Sequence, residues 1–180
     1  SASGGVSTIL DLESEPLHDD LRGFVRSTPL LGQVLHSPWI VTPGVDLKAA
    51  NRPNALANRV YLQARDDISR AVEAGEYEHA ITLTTRPYRD EMFDLLRERL
   101  TDVDYWRLLA FVWTDAENPE EDPDSRFASW FASDRAGREN LMTPAEQEAY
   151  QALPSELTLY RGAPPSAEAG LAWSLQRSVA

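Results

Sequence analysis

With 180 residues, 42% of them hydrophobic, and five Trp, the chain can bury the core of one domain, or of one domain plus an appendage, which excludes wholesale disorder. Its net charge of −12, with Lys48 the only lysine, argues against a nucleic-acid-binding surface and against anionic membrane surfaces, because both need clustered Lys and Arg. The absence of Cys rules out disulfides, a thiol nucleophile and a Cys-ligated zinc, and fits a cytoplasmic protein.

The opening residues 1–16 are small and acidic, begin Ser1-Ala-Ser-Gly-Gly5 without a Met, and read as a disordered leader or cloning scar. They lack the basic-then-apolar order of a signal peptide, and no later apolar run reaches transmembrane length, so no membrane partner is expected. Leu17 to Arg26 reads as a short helix. Val34 to Val41 is apolar but broken by Pro38, and reads as an extended segment that packs Trp39 and Ile40 elsewhere. From Asn54 the period becomes helical, with Leu56, Val60, Ala64, Ile68 and Val72 in one stripe and Gly75 as the stop. Residues 76–84 fit helix or strand equally.

A helix is expected after Pro87, with Met92, Phe93, Leu96 and Leu100 on its apolar face. The next starts at Thr101 or Asp102 and buries Trp106, Leu109, Val112 and Trp113. Asp115 to Asp124 is an acidic loop punctuated by Pro, and Arg126 to Ala132 a short aromatic helix. Thr143-Pro-Ala-Glu146 is a capping box with Pro just inside the helix start, and that helix ends by Leu153-Pro154. β character becomes clear only after it. Leu157-Thr-Leu-Tyr-Arg-Gly162 reads as a strand ending in a flexible Gly, and Gly170-Leu-Ala-Trp-Ser-Leu175 as a second short apolar segment. The expected fold is therefore a mainly α helical domain over 17–153, followed by a partial α+β segment over 154–180.

These two C-terminal motifs carry a resemblance. Tyr160-Arg161-Gly162 followed by Trp173-Ser174-Leu175 resembles the start of an ADP-ribosyltransferase-like domain of the Arg-Ser-Glu type, as found in bacterial and phage proteins. The resemblance implies NAD as substrate, with Arg161 on a phosphate, Gly162 allowing close approach, and Ser174 in a cofactor-binding and catalytic role. It implies a downstream Glu, for which no sequence remains before Ala180, so this chain is expected to be a truncated, inactive form. Position 172 is Ala where many relatives carry a hydroxyl residue. The physical case is that a diphosphate wants a fixed, planar, always-charged donor, and that breaking the nicotinamide–ribose bond builds oxocarbenium character that a carboxylate must offset.

Each feature has a plainer reading beside it. Arg161 can pair with Glu156 or Glu168, leaving Ser174 an ordinary strand residue. Arg86, Tyr88 and Arg89 at a helix start can hold an anion, but a local ion pair with Asp90, Glu91 or Asp94 is the commoner arrangement. The acidic loop lacks the Gly and alternating ligands of a calcium site. His18, His36 and His79 are isolated, so no metal pair forms. The rival functions are a noncatalytic helical module that binds another protein and an acidic mimic of nucleic acid. The target of an ADP-ribosyltransferase-like protein stays unspecified.

Overall fold

The computed structural model describes residues 12–116, 126–160 and 173–178. It is mainly helical with one small three-stranded antiparallel sheet. The chain divides into two compact units, one up to Leu95 and one from Leu96. Among the described residues no helix is long and apolar enough to cross a membrane.

The first unit opens with helix α1, Asp19–Arg22, whose N-terminus is capped by the His18 ring accepting from the Asp20 N–H. The expected longer helix to Arg26 does not form. Gly23 ends it, and Val25–Thr28 enters strand β1 instead. A turn through Pro29 leads to β2, Gly32–His36, and Ser37 to Ile40 returns the chain into β3, Val41–Pro43. The order is β1-β2-β3, with Arg26 opposite Val34 and Leu35 opposite Thr42. Gly32 at φ 66° takes the left-handed conformation that lets so short a turn close. The buried Ser37 hydroxyl secures the second turn, donating to the Ile40 carbonyl (2.9 Å) and accepting from the Ile40 N–H (3.2 Å).

Helix α2, Arg52–Glu73, forms as expected, started by the Asn51 side chain accepting from the Asn54 N–H and stopped before Gly75 at φ 76°. The expected stripe of Leu56, Val60, Ala64, Ile68 and Val72 is only half-buried, and the buried face runs beside it through Asn54, Ala57, Asn58 and Tyr61. Its buried face, Ala57 and Tyr61, packs with Leu17, Leu21, Leu35 and Val45 to form the core of this unit. Trp39 and Ile40 pack against that core, as expected for the segment around Pro38. Asn54, fully buried, staples the loop before α2 by accepting from the Asp46 N–H and donating to the Asp46 and Ala49 carbonyls. The ambiguous stretch after Gly75 is helical, as α3, Tyr77–Thr82. A 3-10 turn, Arg86–Tyr88, then leads into α4, Arg89–Leu96, across the boundary between the units.

The second unit is built on α5, Asp102–Asp115, capped by Thr101. Trp106, Leu109 and Val112 are buried there as expected. Trp113 is only half-buried and sits edge-on to Phe127 (5.1 Å) and Phe131 (5.4 Å), while Tyr105 and Leu108 join the core in its place. The Trp106 indole N–H donates to the Ala136 carbonyl (2.8 Å), and the Tyr105 hydroxyl to the Trp130 carbonyl (3.0 Å). Arg135 lies over the Tyr105 ring and donates to the carbonyls of Leu100 and Arg97, closing the turn before α5. Helix α6, Arg126–Phe131, carries the aromatic stretch, a 3-10 turn spans Arg138–Leu141, and α7, Pro144–Gln151, begins with the full Thr143–Glu146 capping box. Most of the acidic loop lies outside the described residues.

Candidate functional site

The C-terminal motifs meet at one point. Tyr160 and Ser174 form an isolated antiparallel bridge in which each N–H donates to the other's carbonyl, at 2.8 and 2.9 Å. The segments read as two strands are thus brought together across the intervening residues. Among the described residues the pairing is a single bridge: residues 157–159 carry no ladder, and Leu157 and Leu159 are 42% and 48% exposed. Trp173 and Leu175, on either side of Ser174, are also exposed. The Ser174 oxygen accepts from the Gln176 N–H (3.0 Å), which fixes its position.

Arg161 and Gly162 lie outside the described residues, so the phosphate-binding role is not placed. Residues directly opposite in an antiparallel pair share a face, so Tyr160 shares a face with Ser174.

Two arrangements escaped the sequence reading. In the second unit an open groove of about 560 Å³ runs between α5 and the start of α7, with Arg107, Phe111 and Thr114 on one wall and Met142, Thr143 and Gln147 on the other. Its polar side chains are largely committed. Thr114 donates to the Ala110 carbonyl, Asn140 to Gly137, and Gln147 to Glu139 and Met142. Glu146 accepts from the Thr143 N–H and hydroxyl, which holds its carboxyl below the usual range.

In the first unit Tyr61, buried between the rings of Trp39 (4.6 Å) and His18 (5.0 Å), donates its hydroxyl to Asp20 at 2.5 Å. That bond, with burial, raises the Tyr61 hydroxyl above its ordinary pKa. A phenol kept protonated beside a carboxylate could serve as an acid, yet here it ties α1 to α2. Arg89 donates to the Thr84 and Thr82 carbonyls at the end of α3, which ties the start of α4 to that turn. No protein-family model, curated protein or solved structure matches the chain.

Proposed function

We propose that residues 154–180 are the front edge of an NAD-binding cleft of the ADP-ribosyltransferase-like type, carried behind a helical region. The observation that supports this reading is the Tyr160–Ser174 bridge, which joins the Tyr-Arg-Gly and Trp-Ser-Leu motifs on which the resemblance rests. The exposed Leu157, Leu159, Trp173 and Leu175 beside it suit the lining of a cleft better than an ordinary solvent face.

In this reading Arg161 grips the NAD diphosphate with two parallel N–H donors, and Ser174, its oxygen fixed by Gln176, donates to a ligand hydroxyl or phosphate oxygen. Neither group is a carboxylate. They hold NAD but do not stabilise an oxocarbenium ion more than the ground state, so the 180-residue chain binds without cleaving.

The test is calorimetric titration of the purified chain with NAD, beside an assay of nicotinamide release. Binding weakened at least tenfold in Arg161→Ala, with no release above a protein-free control, is the expected result. NAD binding that is absent, or indifferent to Arg161→Ala, refutes the cleft. Nicotinamide release that disappears in Arg161→Ala refutes the inactivity.

A further inference from the structure

Independently of the NAD reading, we propose that the β1–β2 hairpin tip and the cations beside it form a docking surface for an acidic, amphipathic protein segment. The tip carries Leu30, 95% exposed, and Leu31, 62% exposed. These leucines are held outward rather than left loose. The Thr28 hydroxyl oxygen accepts from the Leu31 N–H (3.1 Å), the hydroxyl donates to the Gly32 carbonyl (3.3 Å), and Gly32 takes the left-handed turn that closes the loop. A rigid apolar knob presented in advance loses little conformational entropy on binding.

The stretch of sequence that carries the knob runs against the charge of the whole protein. Residues 21–65 contain Arg22, Arg26, Lys48, Arg52, Arg59 and Arg65 but a single carboxylate, Asp46, in a chain of net charge −12. Hydrogen bonds connect several of these cations to the base of the tip. The Gln33 side chain, next to Gly32, accepts from the Leu47 N–H (2.9 Å), and Arg22 donates to the Leu47 carbonyl (3.1 Å), beside Lys48. The Gln33 carbonyl also accepts from the Gly44 N–H, and Asn51, which precedes Arg52, donates its side-chain amide to the Gly44 carbonyl.

Among the described residues the Lys48, Arg52 and Arg59 side chains have no ion-pair or hydrogen-bond partner. Asp46 accepts from the Lys48 and Ala49 N–H groups, so its side chain is turned to the backbone rather than to the Lys48 or Arg52 side chain. Lys48 and Arg52, joined through these contacts to the base of an apolar knob, complement a segment with carboxylates flanking apolar side chains.

Composition selects the occupant. The acidic balance of the chain, with 23 Asp and Glu against 11 Arg after residue 65, disfavours a nucleic acid or an anionic membrane, and leucines contribute nothing to a phosphate backbone.

The experiment uses fluorescence anisotropy of the full chain with two helical probe peptides that share one Leu/Phe face, one bearing Glu and the other Lys on the opposite face. Vesicles of phosphatidylcholine with phosphatidylserine and a 20-nucleotide DNA are run alongside. The Glu peptide should bind at least tenfold more tightly than the Lys peptide. That preference should shrink with salt and with the Lys48→Glu/Arg52→Glu pair, and binding should be lost in Leu30→Asp/Leu31→Asp. Far-UV circular dichroism identical to the parent shows that the variants fold, as expected for exposed sites. No binding of the Glu peptide, equal binding of both peptides, binding indifferent to Leu30→Asp/Leu31→Asp, or tighter binding to the vesicles or DNA overturns the proposal.

Discussion

Trp106→Ala tests the core of the second unit most severely. The ring is fully buried, meets Tyr105 edge-to-face at 5.1 Å, lies under the Arg138 guanidinium at 5.3 Å, and donates its N–H to the Ala136 carbonyl. Truncating a buried aromatic to Ala costs about 3–5 kcal/mol, and complete burial places this site toward the upper end. The substitution also orphans a part-buried carbonyl, worth about 1 kcal/mol. A loss of about 4–5 kcal/mol follows, a large fraction of the roughly 5–15 kcal/mol that stabilises a typical domain. Trp106→Phe keeps much of the packing and removes the indole N–H, so it should cost about 1–2 kcal/mol. Urea unfolding followed by far-UV circular dichroism, with the slope held constant across variants, reads both values. A Trp106→Ala loss below about 1 kcal/mol would remove this ring from the core and refute the reasoning.

Three further outcomes are open to the same measurement. Asn54→Ala strips the loop before α2 of one acceptor and two donors inside the core, and should cost about 2–3 kcal/mol. Gly137→Ala should cost about 1–2 kcal/mol, because φ is 75° and an added Cβ would stand 2.9 Å from the Asn140 amide nitrogen. Tyr61, through its bond to Asp20, and Tyr88 and Tyr105, through burial, are all held above the ordinary tyrosine pKa of 10.0. Their contribution to stability is therefore complete below pH 10.0 and lost as pH rises through the folded values. Melting temperatures across pH 9 to 11.5 should fall, and Tyr61→Phe should flatten the fall; an identical profile in that variant removes Tyr61 from the effect.

Helices were legible wherever period and punctuation agreed. The α2 stripe ran into Gly75, Thr101 capped α5, and Thr143-Pro-Ala-Glu146 capped α7, each a signal complete within a few residues. The three-stranded sheet was not. β1 is Val-Arg-Ser-Thr, with no apolar alternation, and its existence depends on pairing with β2 and on the Gly32 turn rather than on its own residues. The helix expected from Leu17 to Arg26 failed for the same reason, since the β2 partner claims Val25 and Arg26.

Trp113 shows the limit of a stripe. It is placed correctly on α5, but how deeply it sits depends on α6, which sequence spacing does not position. At the candidate site the bridge joins the two motifs quoted from the sequence. The register that puts Tyr160 rather than Arg161 opposite Ser174 was invisible, because a shift of one residue reverses every face. The groove beside α5 was equally hidden, assembled from residues up to forty positions apart.

The central claim is that NAD occupies the edge formed by the Tyr160–Ser174 bridge. Backbone amide spectra of the isotope-labelled chain, titrated with NAD, test it most directly. The account predicts that the largest shifts fall on the amides of Tyr160, Arg161, Gly162 and Ser174 and vanish in Arg161→Ala. Shifts confined to the groove around Phe111, Met142 and Thr143, or no shifts at saturating NAD, would contradict it.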